Sequence, residues 1–472
     1  MGCGSDLLFA SDMNYRQQHA SSLAKTVGNH SINLYKQLFL PERSFCELPA
    51  IRQRLLSDQG FGHLHKTRIM TDKKTQIFSK LAVIGLWTLL LVGTITNGMD
   101  VLGKLLIGST LDTLTSIIKN LSMVILALSL VPIFLKEKKL IVFTLFLFGV
   151  IWYWSSQTSI YNTPFLIENF QSFFIEALPY LWFFAYFLES DNNDCKSFYV
   201  LLYKICRVKL ILALSSQIIM FIFPQTDIFL DYMDAANALL LGLLVIVSSN
   251  LLNHHSNKLD NVLELLSIAS IVVLGSRGGV MCYGAFYILY FFFFAKNNHK
   301  GFIILLSCVG LILLYQLMPL FLQVFAGSGN RLVEKLSSNT FLHDENRALI
   351  YAILLSDFGT NPFGMGVMAD RDILTASTEI WEVFYAHNLF LEMLVDFGYI
   401  GVVLSIILII WMIKSLRRGL GYTKLILCVL ISCSFIKLMV SSSLWKDQIF
   451  WAMIGCMWIV YQRTRKTNAY GK

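Results

Sequence analysis

The stretch HNLFLEMLVDFGYIGVVLSIILIIWMI (His387–Ile413) combines a long apolar run with polar residues at its start. An α-helix needs roughly 20 apolar residues to cross the hydrocarbon of a bilayer, so this run predicts a membrane span. In such a helix, Asn388, Glu392 and Asp396 would share one face, with His387 beside them. Carboxylates are costly against lipid, so this face is expected to lie in the bundle interior or to line a cavity.

The composition of the whole chain also predicts a membrane protein. Of the 472 residues, 56% are hydrophobic and only 14% are charged, whereas about 25% of the residues in soluble domains are charged. The net charge of +8 fits cytoplasmic Lys and Arg, and no separate basic tract with aromatic residues predicts nucleic-acid binding. The nine cysteines include no CxxC pair, so neither a disulfide scaffold nor a metal site is expected.

Apolar runs of spanning length recur from Ser79 onward. We predict an all-α, polytopic membrane helix bundle with about 12 transmembrane helices and one large helical outer loop at 326–386. Glu176 and Lys437 are charged residues inside apolar runs, which makes them functional candidates, although the sequence assigns neither of them a partner. The predicted spans are 79–98, 113–135, 139–156, 170–189, 203–223, 235–252, 259–275, 279–295, 301–325, 387–413, 422–441 and 446–462.

Positive charge in the short loops sets the predicted orientation. Lys and Arg concentrate in alternate loops and in the C-terminal tail, while the other short connections hold only Lys104, Arg277 and Lys446. By the positive-inside rule, both termini are cytoplasmic. The loop 326–386 and His387 are then expected to face outward.

The segment LGSRGGV (Leu274–Val280) joins two apolar runs and carries one of the few cations of the outer side. Small residues flank Arg277, and they let a ligand or a neighbouring helix approach the backbone closely. The next helix is expected to begin at about Gly278, so that its free N–H groups and the guanidinium form an anion site. The same residues fit an arginine that reaches lipid headgroups from a tight glycine turn.

The outer loop contains LHDENRALIYAILLSDFGTNPFGMGVMADRD (Leu342–Asp372). Asp344 is a helix-start signal, and the predicted helix carries Arg347 and Tyr351 at i and i+4 before it ends in the turn GTNPFGMG. Such a helix is expected to lie along the membrane surface, where Arg347 would reach a phosphate at the headgroup level. Taken in isolation, Arg347 is more simply interpreted as pairing with Asp344 or Glu345.

His387 is a candidate general base, because the ordinary pKa of histidine lies nearest to neutrality. On its own, such a histidine is more often an interfacial, hydrogen-bonding residue than a base. The predicted topology, however, brings Arg277, Arg347 and His387 to the same outer surface. Two guanidinium groups and a base are the parts needed to hold a pyrophosphate and to deprotonate an acceptor hydroxyl.

The motifs SRGG, ENRALIY…NPFGMGV and HNLFLEMLVDFGYIGVVL together resemble the O-antigen ligase and polysaccharide (O-antigen, capsule) polymerase superfamily of bacterial integral membrane glycosyltransferases. The resemblance covers 259–413. We therefore divide the chain into a cytoplasmic, poorly ordered extension (1–75), a first part of the bundle (76–258), an O-antigen ligase-like region (259–413), and the last two spans with a cytoplasmic tail (414–472).

The resemblance implies a metal-independent enzyme without cofactors that transfers glycan from an undecaprenyl-pyrophosphate-linked oligosaccharide to a glycan or lipid acceptor. By position, His387 matches the catalytic histidine, and Arg277 and Arg347 match the arginines that bind the pyrophosphate. The supporting residues implied around them, with the last two as alternatives to Arg347 in the same loop, are Asn388, Glu392, Tyr351, Arg331 and Arg371.

The acceptor decides which reaction the resemblance implies. A surface-polysaccharide repeat-unit polymerase is favoured, because nothing marks a site for lipid A–core or for protein; a ligase to one of these acceptors is the alternative. A transporter or flippase of lipid-linked glycans is the alternative from another class, but the two halves show no internal repeat of the kind common in transporters. The implied location is the bacterial cytoplasmic (inner) membrane. The expected partners are membrane lipids, a flippase and a chain-length regulator.

Overall fold

A computed structural model of the chain describes residues 60–107, 111–158, 163–190, 195–222, 232–253, 257–274, 276–294, 345–376, 385–440 and 442–470. Within these ranges every regular element is helical. A π-helix, Phe173–Ala177, joins α3 to α4. The α-helices are α1 (Gly60–Ile107), α2 (Asp112–Thr158), α3 (Thr163–Ser172), α4 (Leu178–Ser190), α5 (Lys196–Ile222), α6 (Tyr232–Asn253), α7 (Lys258–Val273), α8 (Arg277–Phe294), α9 (Glu345–Thr360), α10 (Ala369–Ala376), α11 (Leu389–Phe397), α12 (Tyr399–Arg418), α13 (Gly421–Cys433), α14 (Phe435–Leu438) and α15 (Gln448–Tyr470).

The prediction of an all-helical membrane protein is confirmed, whereas the predicted number of spans is not. Among the described residues, the helical stretches long and apolar enough to cross a membrane are Ile77–Leu106, Asp112–Gln157, Asp234–Leu252, Tyr399–Arg418 and Gly421–Leu438. The predicted span 301–325 and positions 1–59 of the predicted extension lie outside the described residues.

Helix α2 contains two helical segments that fold back on each other. Its backbone is non-helical at Glu137, where φ is −103° and ψ is 28°. Ser129 and Thr144 would lie about 22 Å apart along a straight helix. Yet an added Cβ at Gly85 would meet both Ser129 and Phe183, while Trp182 donates a hydrogen bond to the Thr144 hydroxyl at 2.9 Å. Ser129 and Thr144 therefore both lie near the neighbouring residues Trp182 and Phe183 of α4. Two residues so far apart in the helix can do this only if the chain turns near Glu137.

The main hydrophobic core lies among α4, α6, α13 and α15. Helices α4 and α15 lie in close contact at Gly455, whose lack of a side chain permits this approach. An added Cβ there would lie 2.4 Å from the Leu181 carbonyl oxygen. Trp445, just before α15, is 2% exposed. Its ring packs against the rings of Phe148, Phe173 and Trp451. This aromatic cluster fixes the segment between α14 and α15, which is important for the site described below.

The prediction of one span over 387–413 is wrong. The structure divides this stretch at Gly398, which has φ 62° and ψ −141°, into the short α11 and the spanning α12. The two helices pack against each other, and an added Cβ at Gly401 would lie 1.8 Å from the Met393 carbonyl oxygen. Of these two helices, only α12, from Tyr399 to Arg418, is long enough to cross a bilayer.

Helices α9, α10 and α11 share a second hydrophobic core, which includes Ile350, Leu354, Leu374, Leu391 and Val395. The predicted helix beginning at Asp344 and ending before the Gly/Pro turn is confirmed as α9, Glu345–Thr360. Residues 361–368 then form the turn that leads into α10. We call α9, α10, α11 and this turn the α9–α11 unit.

Candidate functional site

The turn at 361–368 docks backbone to backbone on the end of α11. Met365 and Gly366 donate N–H hydrogen bonds to the carbonyl oxygens of Val395 (2.9 Å) and Asp396 (3.1 Å), and Tyr399 donates to Pro362 at 3.0 Å. Gly366 adopts a positive φ of 100° that a residue with a side chain rarely reaches. The glycines of NPFGMG therefore connect helix α9 firmly to the segment that carries His387.

His387 lies in a backbone conformation that its own side chain disfavours. Its φ is 52°, in the left-handed region. The next residue, Asn388, is the N-cap of α11, and its Oδ1 accepts hydrogen bonds from the N–H groups of Phe390 (2.9 Å) and Leu391 (3.3 Å). The imidazole ring is partly buried and lies 4.0 Å from the Tyr385 ring, centroid to centroid. The three residues of the predicted polar face therefore have different positions. Asn388 caps α11, whereas Glu392 and Asp396 lie within the helix.

Asp370 fixes the backbone just before His387. The Asp370 carboxylate, on α10, is fully buried, and its Oδ2 accepts the Ala386 N–H at 2.7 Å. Asp370 and Ala386 are 16 residues apart in the chain, so this is a long-range contact. It therefore constrains the conformation in which His387 is presented.

The segment between α14 and α15, residues 439–447, binds both acidic residues of α11. Glu392 is 1% exposed, and its carboxylate accepts hydrogen bonds from the Ser443 hydroxyl and, at 2.8 Å, from the Leu444 N–H. Asp396 is fully buried and accepts the indole N–H of Trp445 at 2.7 Å. These contacts confirm that the acidic face of α11 points into the protein rather than toward lipid. We call residues 439–447 the linking segment.

Burial raises the pKa values of these carboxyl groups, which all lie outside the candidate membrane spans. It raises the pKa of Glu392 to about 8 and that of Asp372 to about 6, and in both cases the buried Asp370 adds to the effect. The nearby Arg371 guanidinium opposes the rise at Asp370. In the part of the chain that the structure describes, no three His, Cys, Asp or Glu side chains are grouped so that they could hold a metal ion.

Arg347 and Tyr351 lie on α9, near the same linking segment. The Arg347 guanidinium donates a hydrogen bond to the Val440 carbonyl at 2.7 Å. Tyr351 and Asn388 line a groove of about 430 Å³ whose other walls are mainly apolar residues of α11 and α12. We call the groove lined by Tyr351, Asn388 and these residues of α11 and α12 the apolar groove. The structure therefore brings Arg347, Tyr351, Asn388 and Glu392 into one neighbourhood.

The other predicted arginines are placed differently. Arg277 begins α8, as the sequence indicated to within one residue, but its side chain lies outside the described part of the structure. Helix α8 packs against α13 and α14, the helices that lead into the linking segment. Arg371 is only 7% exposed and lies beside Asp370 in the α9–α11 unit. Arg331 lies outside the described residues.

Sequence analysis missed Asp370, Ser443 and Trp445. The polar run SSSLWKD between the last two predicted spans was a usable signal, because such a run at a membrane interface needs hydrogen-bond partners. No comparable signal marks Asp370 within MADRD. Its importance depends on a long-range contact with Ala386 that only the fold reveals.

Comparison with known proteins gives one family. Residues 262–406 match the family model described as O-antigen ligase, a match that covers less than half of the chain. Searches of curated proteins and of solved structures found no match. The matched range contains Arg277, Arg347, Asp370 and His387, together with all of α9, α10 and α11. This part of the chain is therefore similar to the O-antigen ligase family, which supports the resemblance indicated by the motifs.

Proposed function

We propose that this protein is a membrane glycosyltransferase that transfers glycan from undecaprenyl pyrophosphate to an acceptor hydroxyl at the outer leaflet. The environment of His387 is the observation that carries the proposal. A non-glycine residue at positive φ costs free energy, and such conformations persist where the surroundings impose them, often at functional sites. Here Asp370 and the Asn388 cap hold the backbone on both sides of His387.

We assign proton transfer to one of the two ring nitrogens of His387. Nδ1 of His387 is buried, while the ring as a whole stays partly exposed. Nε2 is therefore the nitrogen that would meet a substrate. A positioned histidine of this kind accelerates a reaction by about 10²–10⁴-fold through general-base catalysis.

The donor would lie between α9 and the linking segment. The Arg347 guanidinium donates to the Val440 carbonyl, which places it beside the linking segment, and a guanidinium is well suited to binding phosphate. The apolar groove beside Asn388 suits the first isoprene units of a polyprenyl chain. Arg277 at the start of α8 would supply a second cation to the pyrophosphate.

The proposed reaction is a displacement at the anomeric carbon. The acceptor hydroxyl transfers its proton to Nε2 of His387 as its oxygen forms a bond to that carbon. The bond from the anomeric carbon to the pyrophosphate oxygen breaks, and its electron pair leaves with undecaprenyl pyrophosphate. Arg277 and Arg347 stabilise the charge that develops on this leaving group. Attack from the face opposite the leaving group inverts the sugar centre.

We infer a repeat-unit polymerase, in which the acceptor is another lipid-linked repeat unit. A ligase would use the same donor chemistry with lipid A–core or a protein as acceptor. The two reactions leave different products when the gene is deleted. Single repeats capped onto lipid A indicate a lost polymerase, whereas long chains left on undecaprenol indicate a lost ligase.

The test is complementation of a deletion strain with His387→Ala. Ser356→Ala is the matched control, because Ser356 is exposed on α9 and its hydroxyl bonds only to its own helix in the contacts described, at Ile353. We expect the control to restore long surface chains, and His387→Ala to reach the membrane in equal amount but leave unpolymerised repeats on the outer surface.

Two outcomes would contradict the proposal. Long chains produced by His387→Ala would exclude the histidine as the base. Lipid-linked intermediates trapped on the cytoplasmic side would instead identify a transporter of the lipid-linked glycan.

A further inference from the structure

A polar cavity of about 600 Å³ opens among α1, α2, the π-helix, α5, α6 and the start of α15. Its volume lies in the usual range for small-ligand sites, about 300–1,000 Å³. Charged side chains of both signs line it, which sets it apart from the apolar groove. The cations are Lys119, Lys209, Lys437 and Lys446, and the acids are Glu176, Asp234 and Asp447.

Charged side chains in apolar membrane helices cost free energy, and they therefore indicate a functional role. Lys437 forms a salt bridge with Asp447, at 2.5 Å between Nζ and Oδ2, which gives this sequence candidate its partner. Glu176 lies in the π-helix Phe173–Ala177. Single π-helical turns within α-helices occur frequently at functional sites, because the extra residue turns a side chain onto a new face. Both charged residues singled out in the sequence thus line one cavity.

The cavity adjoins the proposed active site through the linking segment. Ser443 and Leu444 of this segment hold Glu392, and Trp445 holds Asp396. The next residues, Lys446 and Asp447, line the cavity. His387 and Arg347 are not among the described residues that line it. The segment therefore contacts the candidate active site through Ser443, Leu444 and Trp445 and lines the polar cavity with Lys446 and Asp447.

The lining chemistry selects the class of ligand. Carboxylates accept hydrogen bonds, ammonium groups donate them, and amides such as Asn97 and Asn237 do both. Sugar hydroxyl groups both donate and accept, so they match such a mixture. A polyanion such as pyrophosphate matches only the lysines of this mixture and would lie close to the three acids, and an acyl or isoprenoid chain matches none of the polar groups.

We propose that the polar cavity binds the carbohydrate part of the acceptor substrate. This assignment rests on the proposed function, in which the donor lies between α9 and the linking segment, at Arg347 and the apolar groove. An acceptor sugar in the adjoining cavity would extend its reacting hydroxyl past the linking segment to His387 and the anomeric carbon, on the face away from the pyrophosphate, as an inverting displacement requires.

A matched pair of glycines offers one position inside the cavity and one outside it where a side chain can begin without a steric clash at Cβ. Gly93 on α1 lines the cavity, and an added Cβ there meets nothing within 4 Å. Gly149 on α2 is equally open and is not among the lining residues. Gly93→Phe is therefore the test variant, and Gly149→Phe controls for a large side chain on a membrane helix.

The probe is the repeat-unit oligosaccharide released by mild acid from the strain's own polyprenyl-linked pool. Its binding is measured on the purified full chain in detergent, in the His387→Ala background so that no turnover occurs. We expect Gly93→Phe to weaken binding at least about tenfold, while Gly149→Phe leaves it unchanged. Lys209→Gln and Glu176→Gln should each weaken it by about tenfold, the difference between a hydrogen bond to a charged group and one to a neutral amide.

Two results would overturn the assignment. One is equal binding of the oligosaccharide by Gly93→Phe and by the parent chain. The other is displacement of the oligosaccharide by inorganic pyrophosphate, which would make the cavity the phosphate site. Neither result bears on the base, because turnover by His387→Ala contradicts the proposed function alone.

Discussion

His387 owes its conformation to its neighbours rather than to its own preference. A left-handed backbone at a residue with a side chain costs about 1–3 kcal/mol. The Asp370–Ala386 hydrogen bond and the Asn388 cap offset this cost. A histidine free to relax would turn its ring away from the position in which it is now held. The chemistry proposed for His387 therefore depends on a carboxylate that need not touch the substrate.

Asp370→Ala should lower turnover by about tenfold or more, because the Ala386 N–H loses its acceptor, a change worth about 1–3 kcal/mol. Asp370→Asn keeps an oxygen acceptor and should restore most of the activity. The measurement is kcat and KM of the two purified variants beside Asp372→Asn, which alters a neighbouring acid without a bond to Ala386. If Asp370→Ala and Asp370→Asn turn over equally, Asp370 does not position the histidine.

Glu392 makes the stability of the protein depend on pH. Burial raises its pKa from 4.5 to about 8, so the native state keeps a proton that the unfolded chain releases in this range. Stability from this group is complete below about pH 4.5 and declines as pH rises toward about 8. Glu392→Gln should flatten this part of the profile of thermal unfolding in detergent. An unchanged slope in the variant would contradict the assignment.

At the scale of elements, two glycines make the α11–α12 hairpin possible. Gly398 supplies the positive φ at which the chain reverses, and the Pro362 carbonyl lies where its Cβ would be. Gly401 lets the Met393 carbonyl approach the α12 backbone. The Gly-x-x-Gly pattern after His387 is therefore a packing requirement, and it fixes the distance between the histidine and the membrane helix.

Gly398→Ala and Gly401→Ala should each destabilise the protein by about 1–3 kcal/mol or more, through strain at the first position and backbone collision at the second. Gly359→Ala is the control, since an added Cβ there meets nothing within 4 Å and alanine favours the helix. Thermal unfolding midpoints in one detergent would compare the three. A hairpin that tolerates alanine at both Gly398 and Gly401 would refute the close packing.

Sequence patterns predicted α9 well and α11 poorly, for a physical reason. The start signal at Asp344 and the Gly/Pro turn bound α9 on both sides, and local chemistry decides such ends. The stretch 387–413 is apolar on both sides of Gly398, so hydropathy alone extends one span through the break. The reversal requires the turn at 361–368 as a docking surface, and that contact joins distant parts of the chain.

At the scale of the molecule, charges from separate helices converge into the polar cavity. Lys209, Glu176 and Lys437 come from different helical segments, and no local pattern in the sequence indicates that they meet. The sequence could predict each as a costly intramembrane charge, but not their common cavity. The charge bias predicts which loops share a side, and that prediction awaits the labelling experiment below. The sequence does not indicate that the linking segment both contacts α11 and lines the polar cavity.

The predicted orientation can be tested with single cysteines at two exposed positions. Phe363, in the turn after α9, is 74% exposed, and Leu420, between α12 and α13, is 69% exposed. In intact spheroplasts, a membrane-impermeant maleimide should label Phe363→Cys above the background of the parent chain. Leu420→Cys should react only after permeabilisation, since α12 separates the two positions. The reverse pattern would place the site in the cytoplasm.

The most direct test of the central claim is release of undecaprenyl pyrophosphate by the purified protein in liposomes loaded with the lipid-linked repeat unit. The account predicts release coupled to chain growth by the parent chain, and a rate about 10²–10⁴-fold lower for His387→Ala with an unchanged unfolding midpoint. Release at the parental rate by a folded His387→Ala variant would contradict the account.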